Sequence, residues 1–142
     1  MPWPYPDDGA ENYVNNVALP DMAKGIAWFW SIRRREVPDA LMGIICLYDI
    51  EDNNRGFWLA PEFQGQGYMR EASIAATDYW FNTLNKPVLR APKAAANSRS
   101  RRISDSSGMR LIKTEQKAYV SGVLDSELWE ITRDEWNARQ VN

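Results

Sequence analysis

The chain has no histidine and a single cysteine, Cys46, among its 142 residues. The first absence excludes Ser-His-Asp and Cys-His catalysis and removes the commonest zinc ligand, so no metal site is expected. With only one cysteine, no internal disulfide can form, which fits a reducing compartment; the expected location is the cytoplasm. No apolar run approaches the roughly 20 residues that span a bilayer. The opening MPWPYPDDG has neither a basic region nor an apolar core, so neither membrane anchor nor secretory leader is expected. A large excess of one charge is also missing. The net charge of −2 argues against nucleic acid as a partner.

What is present describes a folded domain. Apolar residues make up 44% of the chain, and the length suffices to bury a core, so one domain over 1–142 is expected. The basic residues gather at Arg33, Arg34 and Arg35, and again from Arg90 through Lys93, Arg99, Arg101 and Arg102 to Arg110. They are either solvated surface or, for the second group, the surround of a phosphate-bearing ligand.

The pattern along the chain alternates between elements. Asp7 or Asp8 caps a short helix through Ala18, ended by Pro20. Strands are expected at Gly25 to Arg34, at 41–50 and at Arg55 to Ala60; their short connections make an antiparallel meander. Met69, Ala72, Ala76 and Trp80 then recur at helical spacing, predicting a helix from Tyr68 to about Leu84. A strand at 88–92 follows, then a helix from Ser98 to Ser107 stopped at Gly108. The final strands are expected at 109–120 and 128–134. A strand, a helix and a neighbouring strand favour a right-handed parallel crossover. The fold class is therefore α/β (α+β), with a sheet of mixed direction. Trp28, Trp30, Trp58, Trp80 and Tyr79 read as core aromatics.

Between the third strand and the long helix lies PEFQGQGYMREA, residues 61–72. Two glycines at a helix start cost stability unless the backbone needs them. The amides from Gln66 to Arg70 can converge on one point, where the helix dipole also favours an anion. The stretch lacks the third glycine of the dinucleotide fingerprint and the Gly-Lys-Ser/Thr ending of a Walker loop. It is either a phosphate cradle or a plain loop with two turn glycines.

This stretch resembles the coenzyme A loop of GNAT-fold N-acetyltransferases, in the RimJ/RimL-like branch that acetylates ribosomal-protein N-termini. Gln64 and Gly67 stand at the first two fixed positions of the motif Gln/Arg-x-x-Gly-x-Gly/Ala, and Met69 at the last. Glu71, Ala72 and Phe81 match the branch's helix. Downstream, NSRSRRISDSSGM resembles the N-x-x-S-x-R…G-F segment through Asn97, Ser100, Arg102 and Gly108, with Met109 in place of phenylalanine. The resemblance covers about Trp3 to Trp136.

The resemblance implies a GNAT fold: an antiparallel N-terminal meander, a splayed parallel strand pair and helices on both faces. It implies acetyl-CoA as cofactor and direct transfer of acetyl to an amine acceptor. A bulge in the strand before the loop would open the gap, with a backbone N–H near Trp58 or Leu59 facing the thioester oxygen. Gln64, Gly65, Gln66, Gly67, Tyr68, Met69 and Arg70 would hold the cofactor, with Asn97, Ser100 and Arg102. The family's tyrosine acid, seven residues after the asparagine, is here Ser104. Ser100 and Tyr119 are the candidate acids, and Glu51 or Asp52 a candidate base acting through water. For Ser100 a helix-surface hydroxyl, and for Glu51 and Asp52 a solvated turn, is the alternative reading. Members of the branch begin with a strand and helix ahead of the segment matching WPYP. Their apparent loss would expose the Gly25 to Arg34 edge, and a homodimer is expected. The second functional reading is a degenerate acyl-CoA-binding or assembly module.

Overall fold

The computed structural model describes residues 19–119 and 122–139. The helix expected between Asp7 and Ala18 lies outside them. After α1 (Leu19–Lys24), the meander forms as β1 (Ala27–Ile32), β2 (Gly43–Tyr48) and β3 (Arg55–Leu59). All neighbours are antiparallel, in the order β1-β2-β3. The first strand is shorter than expected, because beyond Ile32 the chain narrows to a single Arg34–Val37 bridge. Gly43 is required where β2 meets β3, since a Cβ there would lie 2.2 Å from the Trp58 carbonyl oxygen.

The long helix appears as α2 (Tyr68–Asp78), continued by a π-helical turn over Tyr79–Thr83. Met69, Ser73, Ala76, Thr77, Trp80 and Phe81 are its buried positions, the inward stripe of an amphipathic helix. Alternation in β1 turns Trp28 and Trp30 toward this helix. Trp28 meets Trp80 edge-on at 6.3 Å between centroids, and Trp30 meets Tyr79 at 5.2 Å. Both tryptophans pack against the core, as expected of core aromatics. Met42, Leu47, Trp80, Phe81, Leu89 and Ile131 are each at most 2% exposed and mark the centre of the core.

The C-terminal half adds β4 (Val88–Ala94), α3 (Ser98–Ser106), β5 (Arg110–Tyr119), β6 (Gly122–Thr132) and α4 (Arg133–Ala138). Its sheet has the order β4-β6-β5, again antiparallel at each contact, with a register shift between Leu111 and Lys113. Because β6 lies between them, β4 and β5 run parallel to each other, joined by α3.

Two expectations are corrected. The final strand spans 122–132 rather than 128–134, and Thr132 starts α4 through a reciprocal capping box with Glu135. Trp58 is not core: it is 56% exposed, on the face of β3 opposite that of Phe57. The splayed pair that the resemblance implies is β3 and β4: among the described residues the two antiparallel sheets meet there without a ladder.

Candidate active site

Among the described residues one backbone hydrogen bond joins the two sheets. The Asn54 amide donates to the Arg90 carbonyl at 2.7 Å, and the Arg90 amide donates back to the Asn54 side-chain oxygen at 2.8 Å. The Asn54 side-chain nitrogen closes the preceding turn by donating to the Tyr48 and Ile50 carbonyls. Arg90 itself bridges Asp52 at 2.8 Å and Glu130 at 3.0 Å. Beyond this apex β3 and β4 share no ladder, and a gap opens between them.

The hydrogen-bond alternation in β3 decides which groups face that gap. Tyr48 donates to Asn54, and Ala60 to Met42, so the even-numbered residues between them bond β2. The amides of Phe57 and Leu59 therefore point into the gap. That of Trp58 does not, since it is spent on the ladder opposite Ile44. The register from Gly43↔Leu59 to Leu47↔Arg55 runs without an offset. The expected bulge is absent from β3, and the splay comes instead from the single tie at Asn54.

At the open end of β3 the loop explains its own sequence. The Gln64 side chain donates to the Leu59 carbonyl at 2.8 Å, and that of Gln66 to the Glu62 carbonyl at 3.0 Å. Each glutamine fastens the loop to the backbone behind it. Each glycine turns the chain left-handed, Gly65 at φ +77° and Gly67 at +87°, a region costly for other residues. A Cβ on Gly67 would touch nothing within 4 Å, so backbone conformation rather than crowding demands this glycine. From Gly67, α2 begins with the amides of Tyr68, Met69 and Arg70 outside the intrahelical pattern.

Those amides border a cavity of about 240 Å³ lined by Phe57, Leu59, Gly67, Arg70, Arg99 and Arg102. Its floor is apolar, and its rim carries three guanidinium groups and a helix N-terminus. That donor set fits a pyrophosphate with an attached chain reaching along the gap. A larger cavity, about 620 Å³, lies between β1, β2 and α2 and carries Arg33, Arg34 and Arg35 at one side. It has neither the amide cradle nor the splayed strands. The Met69 side chain is buried in the core, and the residue also lines the 240 Å³ cavity.

The second motif is a capping arrangement. The Asn97 side-chain oxygen accepts from the Ser100 amide at 3.1 Å and starts α3. Ser100 is buried beside Lys93, whose Nζ lies 3.2 Å from the Ser100 hydroxyl and also bonds the Ser104 hydroxyl. Burial, with the nearby Arg55 guanidinium, pulls the Lys93 ammonium down to about 7, while Glu127 opposes the shift. Arg55 is buried as well, donating to Thr77 at 3.0 Å and to the Met109 sulfur at 3.4 Å, and burial alone lowers it to about 10.

Glu51 is exposed on the turn at the apex of the gap, and Asp52 beside it is engaged by Arg90. The Tyr119 side chain lies outside the described residues; its backbone ends β5 opposite Gly122. Asn54 and Lys93 were missed as site residues. Lys93 carried a readable signal, since it shares the inward alternation of Leu89 and Ala91 in β4.

A profile of the Acetyltransferase (GNAT) domain matches residues 1–110. The chain belongs to the GNAT acetyltransferase family. Among curated proteins it is similar to YdaF of Bacillus subtilis (strain 168), provisionally named a ribosomal N-acetyltransferase, at 27% identity over 107 residues. That match spans 71% of this chain but only 58% of YdaF. Among solved structures it resembles the ribosomal-protein-S5-alanine acetyltransferase of Vibrio fischeri, with a TM-score of 0.79 at 20% identity. The match covers 91% of this chain and 73% of that one. A spermidine N-acetyltransferase SpeG variant from Vibrio cholerae gives 0.78 at 18% identity, covering 92% and 80%. These structures establish the GNAT fold. Among the described residues no helix is long and apolar enough to cross a membrane.

Proposed function

We propose that this GNAT chain transfers acetyl from acetyl-CoA to a primary amine, either a protein N-terminus or a small amine. The observation that carries the reading is the gap between β3 and β4. It is faced by the Phe57 and Leu59 amides and runs into a cavity ringed by Arg70, Arg99, Arg102 and the α2 N-terminus. The guanidinium groups and helix amides hold the pyrophosphate, and the splayed strands grip the pantetheine arm. The thioester is already activated, so alignment with the amine supplies much of the rate. The Leu59 and Phe57 amides offer donors to a carbonyl oxygen that gains negative charge. Glu51, exposed at the apex, would take the ammonium proton through water.

The test is thiol release from acetyl-CoA against a panel of amines and N-terminal peptides. Amine-dependent release supports transfer. Tight coenzyme binding without release for any amine favours the second reading, a degenerate module. That reading draws on Ser104 at the family's tyrosine position.

A further inference from the structure

The buried cluster formed by β4, α3 and β6 has no packing rationale. Three strand and helix elements converge there, yet they place an ammonium, two hydroxyls and a carboxylate out of water. Lys93 is 6% exposed, Ser100 7%, Ser104 0% and Glu127 6%. Ionised groups are costly in such surroundings unless fully paired. Lys93 has no carboxylate within bonding distance among the described ion pairs. Glu127 is taken by Arg101 at 2.9 Å and by the Trp129 indole at 3.2 Å. The Lys93 Nζ is held instead by the Ser100 carbonyl and hydroxyl and the Ser104 hydroxyl, and it lies 5.9 Å from the centre of the Trp129 ring. A buried cation held mainly by neutral hydroxyls gives up its proton readily, and the Arg55 charge on β3 reinforces this.

We propose that Lys93 is the proton source for the departing thiolate, delivering through the hydroxyl of Ser100. The inference rests on the acetyl-transfer reading and deepens it. As the acceptor nitrogen forms its bond to the acetyl carbon, the carbon–sulfur bond breaks and sulfur keeps the electron pair. The Ser100 hydroxyl passes its proton to sulfur and takes one from the Lys93 ammonium, which is left neutral and is recharged from solvent. Ser100, slightly more exposed than Ser104, is the outer link. Ser104 fixes the direction of the amine from inside. The charged groups facing Lys93 are Arg55 from β3 and Glu127 from β6, with Arg101 of α3 neutralising the latter. Lys93 thus acts through another residue and is a positioning residue for the proton. This supplies the acid function without a tyrosine at position 104.

Two substitutions separate proton supply from charge and packing. Lys93→Met replaces the ammonium by an apolar group of similar length, and Lys93→Arg keeps the charge but does not release a proton near neutrality. Both should lower kcat for amine-dependent thiol release by roughly a hundredfold, with coenzyme A affinity changed less than about threefold. Wild-type kcat should fall as pH rises through the Lys93 titration, and that limb should vanish in both variants. A second readout needs no turnover: the ultraviolet thiolate absorbance of bound coenzyme A, followed against pH. Lys93→Met should raise the apparent thiol pKa of the complex by about one unit, a tenfold change.

Full activity and an unchanged pH limb in Lys93→Arg would overturn the relay while leaving acetyl transfer intact. An unshifted thiol titration in Lys93→Met would overturn it independently of turnover. Absence of thiol release by the wild type with every amine would overturn the transfer reading, and the relay with it.

Discussion

At the scale of single residues, the loop and the second motif hold their geometry by different means, and this separates the effects of substitution. Gly67 sits at φ +87° with open space where a side chain would go. Gly67→Val therefore costs about 1–2 kcal/mol in backbone strain and places a branched side chain over the amides of Tyr68 to Arg70. Its thermal midpoint should fall slightly, and its stabilisation by coenzyme A should be largely abolished. An undiminished thermal shift with coenzyme A would remove the loop from the site. Asn97 and Ser100 divide differently. Asn97→Ala removes the cap on the Ser100 amide, worth about 1 kcal/mol, and lets the first turn of α3 drift along with Arg99 and Arg102. Coenzyme affinity should drop. Ser100→Ala should instead lower kcat while the affinity stays near that of the wild type. Titration of both variants with coenzyme A, alongside turnover, decides the matter; equal affinity losses would count against Ser100 as proton carrier.

At the scale of elements, much of the architecture was legible because its signals are periodic. A run of β-forming residues located β1 and its tryptophans, and the 3.6-residue period located the helix from Tyr68 to within one residue of its end at Thr83. The boundary at Thr132 was missed because strand and helix meet without a loop, and ITRD reads equally well as strand or as capping box. The open β3–β4 gap was implied by the resemblance, but its physical cause was not readable. A crossover length fixes that two strands run alike, but not whether their edges bond. One polar residue decides it, Asn54, which the sequence presents only as part of a turn. Asn54→Ala strands the Arg90 amide and two turn carbonyls, all half-buried, which should cost about 3 kcal/mol. The denaturant midpoint should fall accordingly at an unchanged m-value, and a loss under 1 kcal/mol would show that the apex does not hold the sheets. The α4 junction has a pH signature. Arg110, then the Thr132 amide, hold the Glu135 carboxyl at about 2 instead of 4.5. A depressed carboxyl contributes stability above its unfolded value and loses it as pH falls toward the folded one. Wild-type thermal stability should therefore decline more steeply from pH 4.5 toward 2 than that of Glu135→Gln. Superimposable curves would mean that the box adds nothing.

At the scale of the whole molecule, a net charge of −2 conceals a division of labour. Carboxylates engage Lys86, Arg90, Arg101 and Arg110 in ion pairs, whereas Arg70, Arg99 and Arg102 line the cavity beside the helix N-terminus. Total charge gave no hint of this; the clustering of Arg99 and Arg102 in the sequence did, and the placement of α2 against α3 adds Arg70. The two sheets, joined through their backbones among the described residues at Asn54 and Arg90, also predict how the molecule responds to its ligand. A coenzyme that lies between β3 and β4 and contacts both must stabilise both halves together. At 100 times its dissociation constant it should add about 2.7 kcal/mol, a rise of roughly 8 °C in Tm at this chain length. Raising the salt concentration should reduce that gain by screening the arginine rim. Hydrogen exchange locates the effect. Amides of Phe57 and Leu59 on β3 should become protected in step with those along β4, because a ligand bridging the gap must be released before either strand opens. Protection confined to residues 61–70, with β4 exchanging as in the free protein, would place the coenzyme on the loop alone and defeat an insertion between the sheets.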